Sequence, residues 1–309
     1  MRLVAQPIVN LGPEVTGIIP ATTEHAVFES VTQNGLYANG ESPRLGYPQV
    51  FRYFIENKPP VSAEVLLELE RTRYSLLVGP SGGGRNTVIA RLCELYPEAY
   101  AQLLSMTTRP FRLDAVTGQW EQQDQSYMHR SVEEVLSEIA LGNFFEWEVI
   151  HGQQVSGTHL DSLKRVQDGM IAINDTEPGG ADELFEATGR PSIFLIPRPF
   201  DRWLQNRLAG MEVQEKHRRL STAKANFELA KNQDKFAYLI YDLCDGEDRQ
   251  NSIDESAHKL HCILSAIHEG GINQYKSEFS GDVAIAIDTI DRYISMIDLL
   301  LKQTFIRDN

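Results

Sequence analysis

Apolar residues follow two rhythms along this chain. Short unbroken apolar runs occur at Tyr74–Val78, Met170–Ile173, Ile193–Ile196 and Leu239–Tyr241, and each predicts a buried strand. Between them apolar positions return every three or four residues, as over Thr87–Tyr96, which predicts helices. Val65, Leu66 and Leu69 mark a further short helix over Ala63–Arg71 that leads into the first strand. Strands alternating with helices predict an α/β fold, a parallel sheet with helices on both faces.

The ends of the chain read differently. Residues 1 to about 60 scatter Gly and Pro (Gly12-Pro13, Gly35, Gly40, Pro43, Gly46, Pro48, Pro59-Pro60) between short apolar pieces, and residues 1–71 together form an N-terminal extension whose role the sequence does not reveal. The main domain spans 72–246. Beyond it, Ser252-Ile253-Asp254-Glu255 matches a capping box, followed by apolar positions 253, 257, 260, 264 and 267 and a stop at Gly270-Gly271. A second helix is predicted over about 282–305, with Ile290, Ile294, Ile297 and Leu301 on one face. This helical C-terminal extension, 247–309, either packs on the domain or mediates self-association.

Charge narrows the partners. A formal net charge of −14 argues against duplex DNA, nucleic acid generally, or an anionic membrane, since phosphate-rich surfaces call for a basic one. Three cysteines, Cys93, Cys244 and Cys262, in no C-x-x-C spacing, suit a reducing compartment, so a cytoplasmic location is expected. No apolar run approaches the roughly 20 residues that span a bilayer, and the N-terminus lacks a signal-peptide stretch. His258 and His261 sit three apart on a predicted helix but lack a third ligand at metal spacing.

Between the first strand and its helix lies Gly79-Pro80-Ser81-Gly82-Gly83-Gly84-Arg85-Asn86-Thr87. Glycines let backbone N–H groups curl round phosphate oxygens, and a helix N-terminus adds partial positive charge. Against G-x-x-x-x-G-K-[ST], Arg85 replaces the lysine and Asn86 the hydroxyl residue, so Asn86 or Thr87 is the candidate metal contact. Arginine keeps the charge but aims a planar fork. Taken alone, the segment is equally an ordinary glycine-rich strand-to-helix turn.

Downstream, Ser105-Met106-Thr107-Thr108-Arg109-Pro110-Phe111-Arg112 resembles the S-x-T-T-R-x-x-R segment of guanylate kinases. Gly142 to Gly152 is similar to that family's G-x-F-x-E-x-x-x-x-x-G, and Ser156-Gly157-Thr158 resembles its Y-G-T. The resemblance implies a small GMP-binding subdomain in which Ser105, Arg109, Arg112 and Tyr127 hold the 5′-phosphate, because guanidinium forks match phosphate oxygens. It implies that Glu146 accepts hydrogen bonds from guanine N1–H and the 2-amino group, and that Thr158 and Asp175 also face the substrate. Arg207 and Arg219 correspond to lid arginines that clamp the transferred phosphoryl group with Arg85.

Some positions depart from the family's pattern. Met211 stands where a further lid arginine belongs, Ser156 where the Y-G-T tyrosine belongs, and Tyr241 where an asparagine near adenine belongs. The expected activity is transfer of a phosphoryl group from ATP, with Mg²⁺, to GMP. Two other readings remain open: a catalytically weakened guanylate kinase-like binding or interaction module, and a kinase acting on a different phosphorylated acceptor. The expected partners are small nucleotides.

Overall fold

The computed structural model describes residues 8–10, 16–18, 51, 54–111, 120–122, 127–150, 154–176, 178–209, 211–246 and 248–307. A short antiparallel pair, β1 (Ile8–Asn10) and β2 (Thr16–Ile18), opens the chain. The chain divides into two units, residues 1–71 with 104–165, and residues 72–103 with 166–309.

The second unit holds the predicted parallel sheet. Its strands are β3 (Arg73–Val78), β4 (Tyr100–Gln102), β9 (Ile171–Asp175), β10 (Ser192–Arg198) and β11 (Phe236–Asp242). They lie in the order β11-β10-β3-β9-β4, all pairs parallel. Apart from the short β4, each carries a largely apolar run because helices cover both faces. On one face α2 (Arg85–Leu95) and α8 (Asp248–Glu278) pack with Leu77, Ile173, Leu195 and Leu239 into a single core. On the other, Phe194 meets Phe227 of α7 (Val213–Leu229) at a ring separation of 5.7 Å. Helices α5 (Pro178–Thr188) and α6 (Phe200–Leu208) follow β9 and β10 respectively.

The C-terminal helices pack on this unit. Ala257, Leu260, Ile263 and Leu264 of α8 are buried in the sheet's core. In α9 (Ser280–Arg307), Ile290 and Ile297 are buried, and Lys224 and Lys231, at the α7 side, pair with Asp298 and Asp291. The expected capping box at Ser252 is corrected: α8 begins at Asp248, and the Ser252 hydroxyl, now inside the helix, donates to the Asp242 carbonyl. The stop at Gly270-Gly271 is a kink at Gly271 (φ 72°, ψ −168°), beyond which the chain turns helical again.

The first unit is built on a four-stranded sheet of order β6-β5-β8-β7, from β5 (Ser105–Thr107), β6 (Tyr127–His129), β7 (Phe144–Ile150) and β8 (Gln154–His159). Helix α3 (Val132–Ala140) starts at a true capping box, Ser131 Oγ accepting from Glu134 N at 3.1 Å and Glu134 Oε2 from Ser131 N at 2.8 Å. The short α4 (Leu160–Lys164) follows β8, and Lys164 pairs with Glu64 of α1 (Ala63–Arg71). Phe51 and Phe54 share the core of this unit with Met106, Met128, Val135, Trp147 and Val155. The N-terminal residues nearest the main domain are therefore part of the packing beneath the second sheet.

Candidate functional site

Strand alternation sorts the side chains of the first unit's sheet. Met106, Met128, Trp147 and Val155 point into the core, so their neighbours Ser105, Thr107, Tyr127, His129 and Ser156 stand on the opposite face. Glu146 reaches that polar face through a bulge. Phe144 pairs with His159 and Glu146 with Thr158, so two steps on β7 match one on β8 and Phe145 is the extra residue. The bulge lets Phe144 and Trp147 both enter the core while Glu146 turns to the polar side.

There Glu146 is buried, and its Oε1 accepts a hydrogen bond from Thr158 Oγ1 at 2.7 Å. A buried carboxylate requires such partners, because desolvating it unpaired costs several kcal/mol, on the order of 3 or more. Ser105 and Tyr127 are cross-strand partners on β5 and β6. The Arg109 guanidinium lies over the Tyr127 ring at 4.4 Å. Ser105, Arg109, Tyr127, Glu146 and Thr158 thus belong to one sheet face; Arg112 lies outside the described residues.

Three supports went unassigned in the sequence. Glu121 takes the Arg109 guanidinium in two parallel hydrogen bonds of 2.6 Å each. Such a fork-to-carboxylate pair fixes the orientation of an arginine that is otherwise a flexible side chain. Thr107 Oγ1 donates to Val155 O at 3.1 Å and Thr108 Oγ1 accepts from Val155 N at 2.8 Å, which ties the end of β5 to β8 immediately before Arg109. Glu121 carries no signal in the sequence, and the threonines only their adjacency to Arg109. His129, stacked on Phe111 at 4.1 Å, lies 3.8 Å from Glu121.

In the second unit the glycine-rich segment forms the link from β3 to α2. Gly79 approaches the backbone so closely that an added Cβ would stand 2.6 Å from Leu195 O. Gly84 is the N-cap of α2 at φ 97°, a left-handed conformation, and a Cβ there would collide with the Tyr241 ring. No side chain caps α2 and its first turn carries no acid, so the helix N-terminus keeps the positive end of its dipole. Ser81, Gly82 and Asn86 are exposed, Gly83 and Pro80 are buried, and Gly83 N donates to Pro80 O at 3.0 Å.

Arg85 and Asp175 come together. Arg85 Nη1 donates to Thr176 O at 2.6 Å, and its Nε stands 3.7 Å from Asp175 Oδ2 at the end of β9. Arg219 on α7 pairs with Glu215 one turn earlier, and Arg207 belongs to α6. Beside the loop, Arg198 and Asp242, cross-strand partners on β10 and β11, form a two-bond pair at 2.7 Å each. His258 and His261 each share a hydrogen bond with a tyrosine hydroxyl, Tyr96 at 2.6 Å and Tyr100 at 2.8 Å. Among the described residues no group of three or more His, Cys, Asp or Glu is placed to hold a metal, and no helix is long and apolar enough to cross a membrane.

A family model described as guanylate kinase matches residues 71–267, well over half of the chain. A guanylate kinase of Nostoc sp. is 32% identical over 161 residues, covering 50% of this chain and 76% of the relative. One from Corynebacterium glutamicum is 33% identical over 174 residues, 54% of this chain and 86% of the relative. One from Rhodococcus jostii is 30% identical over 192 residues, 60% of this chain and 86% of the relative. The crystal structure of guanylate kinase from Anaplasma phagocytophilum aligns at a TM-score of 0.42 with 20% identity, over 65% of this chain and 89% of that one. With the glycine-rich strand-to-helix link on a parallel sheet and an arginine and a buried glutamate on one face of a second sheet, the chain belongs to the guanylate kinase family, the guanylate kinase-type phosphotransferases.

Proposed function

We propose that the protein transfers the terminal phosphoryl group of ATP to GMP, giving ADP and GDP. The observation that carries this reading is Glu146, buried and held by Thr158 on the same sheet face as Arg109. Guanine offers a carboxylate two adjacent donors, N1–H and the 2-amino group, whereas adenine presents an acceptor at N1. In this reading Ser105, Arg109 and Tyr127, together with Arg112, bind the acceptor's 5′-phosphate, and Glu121 holds Arg109 in orientation.

The donor phosphates bind along Gly79 to Thr87, where backbone amides and the uncapped α2 N-terminus attract anions. The Asn86 amide oxygen and the Thr87 hydroxyl are hard oxygen donors of the kind Mg²⁺ accepts, and they suit a magnesium that completes its shell with phosphate oxygens and water. Bound there, it would neutralise charge on the donor phosphates. Arg85, Arg207 and Arg219 supply the protein's positive charge to the transferred group, and Asp175 steadies Arg85. Proteins of this kind use the acceptor phosphate as nucleophile, so positioning and charge are what the side chains contribute.

A second reading is favoured by Arg85 itself. Its hydrogen bond to Thr176 O draws the guanidinium to the end of β9, and a side chain so engaged contributes less to a phosphate. This supports a nucleotide-binding module with slow transfer. Calorimetric GMP binding beside a coupled assay of GMP-dependent ADP formation separates the two. Turnover supports the kinase; binding without turnover, with partial recovery in Arg85→Lys, supports the module; absence of both overturns each.

A further inference from the structure

Trp203 of α6 touches the phosphate loop. Its indole Nε1–H donates to Ser81 O at 3.1 Å, and the side chain is buried. In a trans peptide the carbonyl and the next N–H point in opposite directions, so a carbonyl held toward Trp203 holds the Gly82 N–H the other way. Gly82 sits at φ 75°, and a glycine there leaves the Ser81–Gly82 peptide free to rotate unless something selects one orientation. The indole is that selector.

Trp203 is itself fixed by aromatic packing that ends on α9. Phe200 lies 5.6 Å from Trp203, Tyr293 of α9 lies 4.7 Å from Phe200, and Phe227 of α7 lies 6.0 Å from Trp203 and 5.5 Å from Tyr293. The Tyr293 hydroxyl donates to Pro197 O at 2.8 Å, which fastens α9 to the end of β10. Packed interiors transmit displacement because they hold little free volume. Helix α9 lies beyond residue 267, where the match to the family model ends.

We propose that Trp203 and Tyr293 are positioning residues through which the C-terminal helix α9 sets the orientation of the phosphate-loop amides. The effect on nucleotide rests on the reading that this loop binds ATP; the effect on the loop does not.

Two conservative variants test it, Trp203→Phe, which keeps a ring but removes the N–H, and Tyr293→Phe, which removes the hydroxyl. Hydrogen exchange of a peptide covering 79–88 reads the loop, and calorimetry with ATP and with GMP reads the nucleotides. Faster exchange in that peptide is expected in Trp203→Phe, and to a lesser degree in Tyr293→Phe, with exchange in β11 unchanged. ATP affinity is expected to fall about fivefold to tenfold with GMP affinity unchanged, the size of one lost hydrogen bond. A purely structural role would loosen the unit generally and move both peptides. Loop exchange equal to the parent's in both variants overturns the proposal. If the parent fails to bind ATP while loop exchange still rises in the variants, positioning stands and the phosphotransfer reading falls. Should Trp203→Phe fail to fold, Tyr293→Phe decides by the same readouts.

Discussion

At the scale of single residues the proposed acceptor site depends on Glu146 and the hydroxyl that holds it. Replacing Glu146 by Ala removes the carboxylate proposed to read guanine, and GMP affinity measured by calorimetry should fall at least tenfold, the loss of about 1.4 kcal/mol or more expected for a hydrogen bond to a charged group. Thr158→Val keeps the shape but removes the donor to Glu146 Oε1, and a smaller loss of GMP affinity, about threefold to tenfold, should follow. An unchanged GMP affinity in either variant would contradict the assigned roles.

His268 makes a separate prediction about stability. Its ring shares a hydrogen bond with Ser75 Oγ at 2.9 Å, and burial, with the nearby cations Arg190 and Arg73, pushes its pKa down from 6.5 to about 4. The folded protein therefore binds fewer protons than the unfolded chain between these values. The contribution is fully present above pH 6.5 and is lost as pH falls toward 4. By pH 5 this group alone should remove about 2 kcal/mol. Urea unfolding at pH 7 and pH 5 should show that loss in the parent and a smaller one in His268→Gln.

Residue identity showed Arg109 and Glu146 in the sequence because their motifs carry them. Glu121 stayed hidden because a lone glutamate in a loop has no periodicity, and only the fold brings it to Arg109. Arg85 was legible as a phosphate-loop cation, yet its bond to Thr176 O depends on the β3 and β9 register, in which Leu77 stands beside Asp175.

At the scale of elements, four of the five parallel strands were readable as apolar runs because both faces are covered, whereas β4, Tyr100–Gln102, is too short to carry one. The polar-faced strands β5 to β8 carried no such run, and the bulge at Phe145 breaks the alternation that would have announced β7. Two capping-box sequences had opposite fates. Ser131 follows a strand whose end is fixed by Arg130 N donating to Thr107 O, so a helix must start there. Ser252 follows residues able to extend the helix backward, and the Asp242 carbonyl claims its hydroxyl. Local signals mark where a helix can start; tertiary partners decide whether it does.

The link from β3 to α2 offers a test at this scale. Gly84→Ala must hold a left-handed conformation and displace the Tyr241 ring, so stability should fall by about 1–3 kcal/mol. Measured against Tyr241→Ala alone, which has its own cavity cost, Gly84→Ala should cost only the backbone strain. A thermal melt of Gly84→Ala coincident with the parent's would show that the loop adapts freely.

At the scale of the whole molecule, the sequence left open whether the C-terminal helices pack or self-associate, since an apolar helix face serves either purpose. The structure places α8 in the core of the parallel sheet and ties α9 to α7 by ion pairs and to β10 by Tyr293. Likewise Phe51 and Phe54, in the stretch before the predicted helix that the sequence left without a role, pack beneath the strands that carry Ser105 and Glu146. Neither addition has a motif, because packing against a particular surface is recognisable only once that surface exists. With a net charge of −14, the proposed function leaves attraction of nucleotide phosphates to local cations such as Arg85, Arg109 and Arg219, acting over a short range.

The reaction proposed for this chain moves a phosphoryl group from ATP to GMP. A coupled assay of ADP formation from ATP and Mg²⁺, with and without GMP and with AMP as the rival acceptor, tests it most directly. ADP formation is expected to require GMP, not to be supported by AMP, and to be lost in Glu146→Ala. Turnover with AMP equal to that with GMP, or undiminished turnover in Glu146→Ala, would contradict it.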